Sequence, residues 1–85
     1  MPKKQETPQH MLKHSAVVLV GARMNTGVSQ RELSRRINVT QPLISSWEQG
    51  KALPTVPHIV AIEKSLGAES GTLLMAIAYG AQQEE

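Results

Sequence analysis

Apolar residues return every three or four positions along most of this chain, and each such stretch is closed by a Gly or Asn signal. Leu12, Ala16, Leu19 and Arg23 recur at helical spacing. Thr7 as cap and Pro8 at the first helical position predict where that helix starts, and Asn25-Thr26-Gly27 predicts where it stops. Ser29-Gln30-Arg31-Glu32 reads as a capping box that opens a second helix, with Leu33 and Ile37 on its buried side and Asn38 at its end. Thr40 caps a third. Pro42 falls in its first turn, where a backbone N–H has no intrahelical acceptor to lose, so the proline starts this helix instead of breaking it. Ile44 and Trp47 face inward at i, i+3 spacing, and Gly50 closes the helix. Thr55 and Pro57 open a fourth helix with Ile59, Ile62 and Leu66 as its stripe and Gly67 as its stop. A fifth, capped by Glu69 or Ser70, carries Leu73, Leu74 and Ile77 before Gly80. Gly71 is expected to weaken its first turn by up to about 1 kcal/mol relative to Ala. The pattern thus places one domain at residues 8–79, between frayed tails at 1–7 and 80–85 that lack an apolar anchor.

The architecture expected is all-α, with five short helices. One pair, at residues 29–37 and 40–49, is joined by a turn too short for its helices to lie antiparallel. Asn38 tolerates the left-handed backbone such a turn needs. The two must cross steeply, which is the helix-turn-helix geometry, in which the second helix offers its amino-terminal residues to the DNA major groove. Its outward positions are not the ordinary solvated Lys and Glu. They are Gln41, Pro42, Leu43, Ser45, Ser46 and Gln49.

Composition sharpens this picture. At 85 residues the chain is expected to form one small domain, with no catalytic domain beside it. It has no Cys and no Phe, and its aromatics are Trp47 and Tyr79, so the fold must rest on aliphatic packing. The net charge of +2 hides a division. Residues 1–55 carry eight Lys/Arg against Glu6, Glu32 and Glu48, giving +5, and residues 56–85 carry Lys64 against Glu63, Glu69, Glu84 and Glu85, giving −3. The first part suits a polyanion. The apolar run Ala16–Ala22 follows Lys3, Lys4 and Lys13 like a leader's core. Its seven residues are far short of the roughly 20 a bilayer span needs, and the chain opens at Met1, so a cytoplasmic protein is expected, associated with the nucleoid when bound to DNA.

The stretch VSQRELSRRINVTQPLISSWEQGKALPT, Val28 to Thr55, resembles the phage-repressor and Cro-like helix-turn-helix proteins, the XRE family. The resemblance continues through IVAIEKSLGAESGTLL to Leu74. The specific part is Ile44-Ser45-x-Trp47-Glu48-x-Gly50-Lys51 with Pro54 beyond. It implies a five-helix lambda-repressor-like DNA-binding domain, and it implies roles. Gln41 would lead base reading, since its amide can bond adenine at N6 and N7, with Pro42 and Ser46 at the other base-facing positions and Leu43 adding apolar contact. The familiar Gln-rich versions of this helix are richer in polar groups, so DNA shape would carry more of the specificity here. Gln30 would contact phosphate with its amide; Thr40, Ser45, Gln49, Lys51 and Arg31 would hold the backbone too. Arg23 and Glu48 would form a structural ion pair that sets how the third helix is presented. Arg35 and Arg36 add positive charge, or are simply a solvated face.

The function implied is sequence-specific binding of double-stranded DNA as a transcriptional regulator, most simply a repressor that occludes a promoter. A homodimer on DNA is expected, through Val56, Leu74, Ile77 and Tyr79, with the valines of the first helix as a rival patch. Val17, Val18 and Val20 encircle more of that helix than one core stripe requires, which motivates the alternative of an antitoxin-like or accessory protein-interaction module. Trp47 is expected in the core, with Leu33, Ile37, Ile44, Ile59, Ile62 and Leu66, and not stacked on bases. His10 and His14 lie one turn apart without a third ligand, so no metal is expected and both should be solvated. Ser15, Ser29, Ser34 and His58 form no nucleophile–base arrangement, so no enzyme, cofactor or small-molecule ligand is expected.

Overall fold

Each helix begins and ends where a particular backbone group finds a partner. A computed structural model describes residues 9–83 and contains five helices, α1 (Gln9–Asn25), α2 (Gln30–Ile37), α3 (Gln41–Glu48), α4 (Val56–Leu66) and α5 (Thr72–Gln83). The expected start at Thr7 and Pro8 lies outside the described residues. Ser29, Thr40 and Thr55 cap α2, α3 and α4, their hydroxyls accepting from the backbone N–H of Glu32, Leu43 and His58. Only half of the capping box at Ser29 forms, because the Glu32 carboxylate binds Arg35 and Arg36. The turn between α2 and α3 rests on Asn38 in the left-handed region, at φ 62°. At the end of α3, Gly50 sits at φ 75°, with its own N–H on Trp47 O and that of Lys51 on Ser46 O, a Schellman closure.

The fifth helix departs from expectation at both ends. Neither the Glu69 nor the Ser70 side chain caps it. Gly71 stands just before its first residue at φ 89°, a backbone state that suits glycine, so the penalty expected for Gly71 inside the first turn does not arise. The cap comes from Glu63 on α4, whose carboxylate accepts from the N–H groups of Gly71 (2.8 Å), Leu73 (2.8 Å) and Leu74 (3.1 Å). At its far end the helix passes Gly80 and runs to Gln83. A glycine inside a helix weakens it by only about 1 kcal/mol and removes no hydrogen bond, so it need not stop one.

The helices pack α1 on α3 and α5, α2 on α3 and α4, and α4 on α5. Leu19, Val28, Leu33, Ile44, Trp47, Ile59, Ile62, Leu73 and Ile77 form the core. Ile37 and Leu66, expected inside, are half-buried against it, since each ends its helix. Ile77 is a correction in the other sense. Placed on the dimer surface by the sequence pattern, it is 8% exposed and packs in the core four residues after Leu73, and Leu74 lies half-buried against that core. Of the three valines, Val18 turns inward and Val20 is half-buried, while Val17 remains 70% exposed. His14, expected to be solvated, is half-buried and bonds the Ala76 carbonyl at 2.9 Å, tying α1 to α5. Among the described residues no helix is long and apolar enough to cross a membrane.

Burial alone would raise the pKa of Glu63, but the three N–H groups outweigh it and hold the carboxyl below its ordinary value of 4.5. A depressed folded-state pKa stabilises the fold above the unfolded value, and that contribution is lost as pH falls through the folded value. Glu63→Gln should therefore lower stability at neutral pH by about 2 kcal/mol and flatten the loss of stability below pH 4.5, as measured by denaturant unfolding across the acid range. Ser15 is fully buried with a hydroxyl that meets no partner among the described residues. Ser15→Ala should raise the unfolding free energy by about 1 kcal/mol in the same assay.

Candidate nucleic-acid interface

The inward side of α3 is committed to Ile44 and Trp47, 1% and 2% exposed. Trp47 lies against the His58 ring at 5.1 Å, inside the fold. The opposite side therefore faces solvent, and an i, i+4 spacing aligns Gln41 with Ser45, Pro42 with Ser46, and Ser45 with Gln49. Gln41, Pro42 and Gln49 are exposed, as are Thr40 and Lys51 at the two ends. Ser45 and Ser46 are half-buried. The Ser46 hydroxyl donates to the Leu43 carbonyl at 2.7 Å, and Ser45 Oγ accepts from Gln49 Nε2 at 2.6 Å. Leu43 sits one turn before Trp47 and is half-buried against the core, so only part of its side chain is available outside.

Behind this surface lies a chain of polar contacts. Arg23, in the last turn of α1, grips Glu48 with Nε on Oε2 at 2.7 Å and Nη2 on Oε1 at 2.9 Å. Its Nη1 donates to the Val28 carbonyl at 2.8 Å. The pair is largely shielded, with side-chain exposures of 14% and 6%. Burial pushes the Glu48 pKa up, but the hydrogen bonds from Arg23 and Gln30 and the Arg23 charge bring it below the ordinary value. Arg23 is raised in turn, chiefly by its hydrogen bonds to Glu48. Gln30 Nε2 donates to Glu48 Oε1 at 2.9 Å, and Gln41 Nε2 donates to Gln30 Oε1 in a long contact of 3.4 Å. Gln30 is thus half-buried and held from both sides, which a reading of it as a simple phosphate ligand did not foresee.

The basic side chains divide. Arg35 and Arg36 both bind Glu32, and Arg36 also donates to the Ser65 carbonyl at 3.1 Å. These arginine hydrogen bonds lower the Glu32 pKa to about 2. Two cations sharing one anion leave a reduced field on that part of α2. Arg31 and Lys51, both exposed, stand at the start of α2 and just past the end of α3.

Two packed helices joined by a short turn, the second with a polar, outward side, make a scaffold for reading a nucleic-acid groove. A family model described as helix-turn-helix matches residues 22–73. The chain belongs to the helix-turn-helix family. Its XRE-type members are DNA-binding regulators and not enzymes, and that much holds for this helix-turn-helix protein. Among solved structures its fold is similar to that of the clp gene regulator ClgR from Corynebacterium glutamicum, with a TM-score of 0.73 and 22% identity, covering 87% of this chain and 79% of that one. It is also similar to a point mutant of the restriction-modification controller protein C.Esp1396I, with a TM-score of 0.74 and 18% identity, covering 93% and 100% of the two chains. No curated protein sequence matches the chain significantly.

The buried pair gives a direct test. Arg23→Met strands the Glu48 charge and should cost about 3–5 kcal/mol, whereas adding Glu48→Leu to that variant should recover most of the loss. Thermal unfolding of the two single variants and the double variant measures both.

Proposed function

We propose that this protein is a sequence-specific transcriptional repressor that inserts α3 into the major groove and occludes promoter DNA. The observation that carries the reading is the placement of Gln41: exposed at the first position of α3, with its amide steadied by Gln30, which is anchored to the Arg23–Glu48 pair. An amide so presented can bond adenine at N6 and N7. Pro42 offers apolar contact, suited to a thymine methyl, and the exposed part of Leu43 adds to it. Thr40, Gln49, Lys51 and Arg31 surround that helix with groups for phosphate, and the partly exposed Ser45 and Gln30 supplement them. With only apolar contact from Pro42 and a short Ser46 whose hydroxyl is turned onto the Leu43 carbonyl, shape-dependent readout carries part of the specificity. The names of its structural neighbours, a gene regulator and a controller protein, agree with a regulatory role.

A symmetric homodimer would bind two half-sites about 10 base pairs apart. Its surface on this reading draws on Val56 and Tyr79, each 54% exposed, with Met75 on α5. Such a protein works in the cytoplasm, on the nucleoid. The competing role as a protein-interaction module would use the exposed Val17 and, two turns further along α1, Met24, 65% exposed.

Selection from a random duplex pool distinguishes these. Wild type should enrich a two-fold motif, and Gln41→Ala should lose roughly 5- to 100-fold of the discrimination at one base pair in each half-site. Affinity should fall steeply with salt, with a log–log slope near −0.9 for each phosphate neutralised. An unselective pool, or binding indifferent to salt, would refute the repressor reading.

A further inference from the structure

A carboxylate accepts hydrogen bonds and donates none, so it sets the polarity of every amide linked to it in series. Glu48 Oε1 takes the amide nitrogen of Gln30 at 2.9 Å. That turns Gln30 Oε1 outward, where the only complement Gln41 can offer is its own nitrogen, and Gln41 Nε2 does donate to it at 3.4 Å. Gln41 is left with its Oε1 as an acceptor and one N–H as a donor. This pair matches the major-groove edge of adenine, which presents the N6 amino donor beside the N7 acceptor. With the chain reversed, Gln41 would give its oxygen to Gln30 and point both N–H groups outward. That donor pair matches guanine, whose N7 and O6 are both acceptors. The bidentate grip of Arg23 holds Glu48 in place as the end of the chain.

We propose that Glu48 is a positioning residue for base readout: as the acceptor-only end of the Glu48–Gln30–Gln41 chain, it locks the Gln41 amide in the orientation that prefers adenine to guanine. The proposal rests on the reading of Gln41 as a base-contacting residue. It makes a residue inside the fold, which touches no DNA, a determinant of which purine is selected.

The test compares four duplexes that differ only at the base pair where Gln41→Ala loses selectivity, and reads the ratio of adenine to guanine affinity. Wild type should prefer adenine there; a preference for guanine overturns the proposal. Glu48→Gln can donate as well as accept, so both polarities open and the ratio should fall about fivefold or more. Gln30→Met cuts the chain while leaving the Arg23–Glu48 pair intact, and the same fall is expected. A role limited to stability or to phosphate contact weakens all four duplexes by one factor and leaves the ratio alone. An unchanged ratio in Gln30→Met therefore sinks the proposal even if Glu48→Gln fails to fold. A fall in Gln30→Met with an unchanged ratio in folded Glu48→Gln sinks it as well, because Gln30 would then suffice. Should Gln41→Ala alter no base preference, the reading of Gln41 fails and the proposal with it; a Gln41-dependent position with unchanged ratios rejects the proposal alone.

Discussion

The placement of α3 depends on one shielded ion pair. Arg23 reaches from the last turn of α1 to Glu48 at the end of α3 and to the Val28 carbonyl just before α2, so a single guanidinium touches three segments. The two charges have unequal claims to their positions. An arginine near a helix carboxy terminus is favoured by the helix dipole, and a glutamate at that end of α3 is disfavoured. Glu48 is thus tolerable because Arg23 is there. Buried pairs of this kind orient more than they stabilise. Orientation is what an eight-residue helix requires, since a segment so short is marginal alone and takes its order from its surroundings.

The rest of α3 follows from that constraint. Thr40 closes one end and the Gly50–Lys51 turn the other, while Ile44 and Trp47 press its inner side onto the core. What remains outside is a narrow polar edge with Gln41 at its leading position. Charge is arranged more sparingly than the composition suggests. Glu32 occupies Arg35 and Arg36, so the exposed Arg31 and Lys51 define the basic flanks.

Helix order and most boundaries were legible in the sequence because capping chemistry is local. Ser29, Thr40, Thr55, Asn38, Gly50 and Gly67 act on residues within five positions of themselves. The misreadings came from interactions across the chain. Ile77 looked like a surface residue because nothing nearby in sequence reveals that α5 lies against α1 and α4. His14 found an acceptor 62 residues away. The contact from Gln30 to Glu48, 18 residues away, was likewise invisible in the sequence, though it leaves the expected phosphate role of Gln30 open. One signal was present and passed over. Glu63 follows Ile59 by four residues, on the apolar stripe of α4, and a carboxylate there must find donors inside the protein.

Two of those donors, Leu73 and Leu74, belong to α5 and the third, Gly71, stands just before it, so this cap draws on no side chain of the connection. A helix capped by its own neighbour needs Ser, Thr, Asp or Asn at a defined place, but here the cap arrives from a different helix. Side-chain changes across Ala68–Ser70 therefore leave the cap in place so long as residue 63 keeps its carboxylate. The start of α5 is thus written one helix upstream of where α5 begins.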